Sequence, residues 1–137
     1  QFLDMENRSR NPLPGEVEAI HLGKTVALIV ASLKMGVLTA AGNPDSWEQF
    51  ARNLGLLFQA TDDILDATAL AEDLGKPTGR DKAKGKATLV ACEGLEGAVK
   101  KAICLANEAV RSLESIQPSH RKAVLEDLTT YLLQRCR

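Results

Sequence analysis

The sequence predicts an all-α fold. Apolar residues make up 45% of the 137-residue chain while aromatics are only 4%. Ala and Leu are abundant and runs of β-branched residues are scarce, a balance that favours helices over sheets. Apolar positions also recur at three- and four-residue steps. A chain of this length fits one domain and buries roughly two-thirds of its unfolded surface, enough for a real core.

The elements follow in order. Residues 1–7, QFLDMEN, read as helical, and the chain opens at Gln1 with no initiator Met, so the numbering is expected to start inside a longer protein. Asn7 to Gly15, with Pro12, Pro14 and Gly15, reads as a breaker-rich linker. From Glu16 to Ala41 nearly every position is apolar except Lys24, Thr25, Ser32 and Lys34, which predicts a central helix buried on most sides. Gly42, Asn43 and Pro44 end it. Asp45 or Ser46 can cap the next helix, with Glu48 placed for a capping box. That helix is predicted over Ser46 to Ala67, with Phe50, Leu54, Leu57, Phe58, Thr61, Ile64 and Leu65 on its packed side and Asp62, Asp63 and Asp66 toward one edge.

Leu70 to Gly85 reads as a loop because Gly75, Pro77, Gly79 and Gly85 interrupt any helix. A short helix is predicted over Ala87 to Cys92. Beyond Gly94 and Gly97 an amphipathic helix presents Val99, Ile103, Ala106, Val110 and Leu113 to the core. Pro118 opens a last helix, to about Arg135, whose packed side is expected to hold Val124, Leu128, Tyr131 and Leu132.

Composition excludes several classes. A formal charge of −1 argues against a general nucleic-acid binder, which carries a basic excess. Cys92, Cys104 and Cys136 are odd in number and lack CxxC spacing, so neither a disulfide framework nor a zinc site is indicated; a reducing, cytoplasmic setting is expected. The apolar run around Val26 to Leu33 is read as too short to span a bilayer, and no signal peptide is visible.

The chemistry concentrates in FQATDDILD, Phe58 to Asp66, and LGKPTGRDKAKGKAT, Leu74 to Thr88. Asp62 and Asp66 are one helical turn apart and Asp63 is three residues from Asp66, so the three carboxylates can share a volume. Clustered like charges become favourable when a hard cation such as Mg²⁺ takes their oxygens and completes its shell with water and phosphate. In an arbitrary protein a DDxxD stretch is more often a solvated acidic face. Here an apolar stretch precedes it and a basic loop follows, which points to a polyphosphate held through metal and lysine. Lys76 and Lys86 each follow a Gly, which lets backbone and ammonium come close to a ligand; Lys82 and Lys84 read as solubilising charges. Lys24 in an apolar helix needs either solvent or an anion. Thr25 and Gln59 can turn polar groups to the same place, although local hydrogen bonding accounts for each one singly. GKPT lacks the leading glycine of a phosphate loop. His21 and His120 have no metal or triad partner at a recognisable spacing and read as structural.

KTVAL, FQATDDILD, LGK and GRDKAKGKAT occur in the order found in trans-prenyltransferases, and the chain resembles that polyprenyl synthetase family from Gln1 to the terminal YLLQR. It is most similar to bacterial farnesyl and geranylgeranyl diphosphate synthases, with residues 1–137 as the C-terminal half. The resemblance implies an all-helical bundle around a central cavity and a homodimer. It implies Mg²⁺ held by Asp62, Asp63 and Asp66 as the second of two aspartate-rich motifs, with Asp62 the principal ligand. It assigns Lys24, Lys76 and Lys86 to the diphosphate, places Thr25 and Gln59 near the reacting carbon, and matches Arg135 more weakly.

The implied reaction ionises an allylic diphosphate, which isopentenyl diphosphate then attacks before a proton is lost. Leu54, Leu57 and Phe58 would form the apolar wall that excludes water. The first aspartate-rich motif and the residues for isopentenyl diphosphate fall outside these 137 residues, so the chain is expected to be inactive alone. KATLV, Lys86 to Val90, also lacks the family's aromatic residue and Pro after Thr88. The alternative is a non-catalytic regulatory subunit of a heteromeric synthase.

Overall fold

The computed structural model describes residues 13–74, 87–116 and 120–135. Their regular structure is entirely helical. In order it comprises α1 (Pro14–His21), a π-helical turn (Leu22–Val26), α2 (Ala27–Thr39), a 3₁₀ turn (Pro44–Trp47), α3 (Glu48–Leu74), α4 (Leu89–Glu114) and α5 (His120–Gln134). The all-α expectation holds.

Helix α1 starts two residues earlier than the sequence indicated. Pro14 supplies a ready-made first-turn φ and has no N–H to leave unpaired, and the Leu13 N–H donates to Glu16 Oε2 at 3.0 Å. Continuous helix then passes through the π turn, where the Ala27 N–H reaches back to the Leu22 carbonyl. Helix α2 closes in a Schellman turn: the Gly42 N–H donates to Val37 O at 2.9 Å and Ala41 to Leu38 O at 3.0 Å. This puts Ala41 at φ 54°, a left-handed position where glycine is the usual occupant.

The predicted Asp45/Ser46 cap is replaced by Asn43, whose Oδ1 accepts from the Asp45 N–H at 3.1 Å. A 3₁₀ turn follows, and the α-helix begins at Glu48 and runs on to Leu74, past the predicted end at Ala67. Helix α3 is the centre of the molecule: Phe50, Ala51, Leu57, Ala60, Thr61 and Ile64 are all within 1% of complete burial. Thr61 is tolerated there because its hydroxyl donates to the Phe58 carbonyl of the same helix at 2.8 Å. Among the described residues α3 packs against every other helix and turn.

The predicted central position of the 16–41 helix is therefore corrected. Helix α2 has no buried residue, and Leu28, Met35 and Leu38 are 70%, 59% and 59% exposed. It touches α3 along one side only, with Val30 and Leu33 packed on the core and Lys34 reaching Glu48. The helical stretch Pro14–Thr39 is long and apolar enough, by length and composition, to cross a membrane, and only 6% of its apolar window is buried. The sequence reading missed this by treating Val26 to Leu33 as a separate run.

The two helices predicted on either side of Gly94 are both present within the span of α4: Gly94, at φ 74° and ψ 170°, is non-helical and separates them at a kink. The first turn of α4 is capped by Thr88, whose Oγ1 accepts from the Ala91 N–H at 3.1 Å. The packed face is Ala98, Ala102, Leu105, Ala106, Ala109 and Leu113, and Ile103, predicted to face inward, is exposed. In α5 Leu132 is buried as expected and Thr129 with it, with Leu125 and Leu133 partly buried against the core, whereas Val124, Leu128 and Tyr131, also expected there, are exposed. Thr129 can face inward because its hydroxyl donates to the Leu125 carbonyl at 2.8 Å, a satisfaction that hydrophobicity counting does not see.

Candidate functional site

The buried helix α3 turns a short acidic strip to solvent. Asp62 and Asp66, one turn apart, are exposed, while Asp63 between them is only partly so. The difference follows from helix geometry: a step of one residue rotates a side chain by about 100°, which aims Asp63 toward α1 and α4. Its Oδ2 accepts the Leu89 N–H at 2.7 Å and lies 3.3 Å from His21 Nε2. Imidazole and carboxylate are both well covered, with 6% and 13% side-chain exposure.

Asp62 and Asp66 thus lie on the solvent side of α3, while the Asp63 carboxylate is turned toward His21 and the start of α4. Among the described residues no group of three or more His, Cys, Asp or Glu side chains is arranged to hold a metal. Asp62 and Asp66 share a face, and Asp63 is engaged elsewhere. His21, read as structural, is buried and has Asp63 as the carboxylate beside it. No spacing rule links positions 21 and 63, and only the packing of α1 on α3 brings them together.

The polar residues expected opposite the acids lie in the π turn and on α3. Lys24 is exposed, Thr25 half-buried and Gln59 buried. Lys24 makes no ion pair among the described residues. The turn's position follows from its two ends. His21, just before it, contacts Asp63. Val26, its last residue, lies so close to Gly55 that a Cβ there would come within 3.1 Å of the Val26 Cα. Lys24 and Thr25 are therefore carried along the stretch of α3 between Gly55 and Asp63, which also bears Gln59. A π turn admits one residue more than an α turn, and such turns occur at functional sites.

Leu54 and Leu57, expected to wall a cavity, are instead buried in the core, whereas Phe58, one turn before Asp62, is half-buried. Arg135 is exposed just past α5. Lys76 and Lys86, with Lys82 and Lys84, lie outside the described residues.

A sequence profile of the polyprenyl synthetase family matches residues 1–128, and the chain belongs to that family. Geranylgeranyl pyrophosphate synthase 9 of Arabidopsis thaliana is 39% identical over 98% of the chain and 39% of that protein. Farnesyl diphosphate synthase of Escherichia coli is 37% identical over 98% of the chain and 47% of its own length. Among solved structures, a geranyltransferase from Helicobacter pylori complexed with magnesium and isoprenyl diphosphate superimposes with a TM-score of 0.72 at 31% identity, covering 98% of this chain and 44% of the other. The chain thus spans less than half the length of these relatives.

Proposed function

We propose that this chain forms the diphosphate-handling part of a prenyltransferase that joins isopentenyl diphosphate to an allylic diphosphate, giving a short-chain prenyl diphosphate. The observation that carries the proposal is the placement of Asp62 and Asp66 on the exposed edge of an otherwise buried helix, beside the π turn bearing Lys24 and Thr25. Two exposed carboxylates one turn apart are a hard-oxygen donor set suited to Mg²⁺, which takes one or two carboxylates and fills its remaining positions with water and substrate phosphate. The related H. pylori structure contains magnesium together with an isoprenyl diphosphate. Bound there, Mg²⁺ would neutralise charge on the diphosphate as it leaves.

The chain's own residues supply the rest. Asp62 and Asp66 hold the cation, and Lys24, joined by Lys76 and Lys86, places ammonium charge on the diphosphate oxygens. Thr25 and Gln59 orient the reacting end of the substrate. Charges and dipoles held in place beforehand lower the barrier without reorganising during the reaction. Phe58 shields the approach to Asp62 from water. A cytoplasmic setting belongs to the same reading, and the uncovered apolar side of α2 supports assembly as a homodimer.

The test is Mg²⁺-dependent incorporation of labelled isopentenyl diphosphate by the protein expressed from its own reading frame. Asp62→Ala is expected to lower turnover by about 100-fold or more. Near-normal turnover in that variant would refute the assignment. No turnover in the parent protein, with binding to a complete synthase, would favour a regulatory subunit instead.

A further inference from the structure

We infer that His21 and Asp63 act as positioning residues, a buried clasp that holds three separate segments in register around the acidic edge of α3. The inference rests on the proposed function and divides the aspartate motif into two tasks. Asp62 and Asp66 face solvent for the cation, while Asp63 faces inward for the scaffold.

The geometry is specific to Asp63. Its Oδ2 meets the Leu89 N–H at 2.7 Å and His21 Nε2 at 3.3 Å, so α1, α3 and α4 converge on one oxygen. Leu89 is the first residue of α4, where a backbone N–H has no partner within the helix and the helix dipole favours an anion. Ala87 and Leu89 are 5% and 7% exposed and pack in the core around the contact. Thr88 between them caps the same turn. The start of α4 is therefore held twice, by its own cap and by a carboxylate from α3.

On the other side His21 is the last residue of α1, immediately before the π turn that carries Lys24 and Thr25. Fixing its imidazole against Asp63 fixes where that turn begins along α3, while the close approach of Val26 to Gly55 fixes where it ends. One carboxylate thus sets the placement of the π turn and of the α4 entry relative to Asp62, on the adjacent residue. Small errors in such placement are costly, since a shift of about 1 Å in a positioned group can lower rate by about 100-fold.

Metal dependence separates the two roles. In the protein expressed from its own reading frame, Asp62→Asn is expected to raise the Mg²⁺ concentration for half-maximal activity by about 10-fold or more. Asp63→Asn keeps an oxygen that can accept from Leu89, and is expected to retain most of kcat and the parent Mg²⁺ dependence. Asp63→Ala and His21→Ala are expected to lower kcat by up to about 100-fold with little change in Mg²⁺ dependence. The double variant should be no worse than Asp63→Ala alone, because the two residues act as a unit.

A Mg²⁺ shift in Asp63→Asn equal to that in Asp62→Asn would overturn the inference. Additive losses in the double variant would do so as well. If Asp62→Asn leaves Mg²⁺ dependence unchanged, it is the proposed function that fails. Amide exchange on folded Asp63→Asn and His21→Gln gives a second measurement should the alanine variants not fold. His21→Gln is expected to speed exchange at Leu89 while Ala102 in mid-α4 is unaffected, and unchanged exchange at Leu89 would count against the clasp.

Discussion

Asp62 and Asp63 are neighbours in the chain with opposite surroundings, one in solvent and the other against an imidazole and a helix start. The pairing of Asp62 with Asp66 as a candidate acidic site was legible from the DDILD spacing, because i and i+4 must share a helix face. The separation of Asp63 from that pair was not, since it depends on what packs about 100° around the helix from that face. Cysteines show the same dependence on surroundings. Burial, reinforced by the neighbouring Glu93 carboxylate, pushes the Cys92 thiol above its ordinary range, whereas Cys104 is exposed. A raised thiol keeps less thiolate at a given pH. Cys92 is therefore expected to alkylate more slowly than Cys104 at pH 8 and to catch up only at higher pH, as read by peptide mass spectrometry with iodoacetamide. Ala41 provides a stability test. It occupies a left-handed position at φ 54°, so Ala41→Gly should raise stability by about 0.5–1 kcal/mol in urea unfolding.

At the scale of elements, helix existence was readable from period and breakers, and so was the packed face of α3, where Phe50, Leu54, Leu57, Thr61 and Ile64 are buried as expected; the faces of α2 and α5 were not. In α5 the core took Leu132 as the sequence reading expected, but Thr129 in place of Val124, Leu128 and Tyr131, because a threonine bonded to its own helix carries no unpaired group inward. In the 16–41 segment, nearly continuous apolar character was read as burial, and the structure gives the central place to the less apolar α3. The contact between the π turn and α3 is equally tight and equally hidden in the sequence. Gly55 would meet Val26 Cα at 3.1 Å if it carried a Cβ. In an exposed helix Gly→Ala stabilises by about 0.5–1 kcal/mol. Here overpacking against backbone reverses the sign, and Gly55→Ala is expected to destabilise by about 1–2 kcal/mol. Chemical denaturation of the single variant checks this, and stabilisation would show that the π turn can retreat from α3.

At the scale of the whole molecule, the uncovered side of α2 governs how the chain behaves in solution. Leu28, Met35 and Leu38 form an exposed apolar row, and such surfaces mark association sites. The 137-residue chain is expected to self-associate in sedimentation velocity, and Leu28→Glu with Leu38→Glu to reduce that association at equal concentration. A monodisperse monomer in the parent chain would contradict this. Because α3 is buried and meets every other described element, while α2 is bound along one flank, protection against local opening is uneven across the fold. The acids ride on the hub, Lys24 is pinned to it through a π turn held at His21 and Val26, and α2 is the spoke. A warming sample should therefore let α2 peel away first, leaving the carboxylates and the π turn in an otherwise native frame, so that α2 amides exchange some degrees before α3 melts.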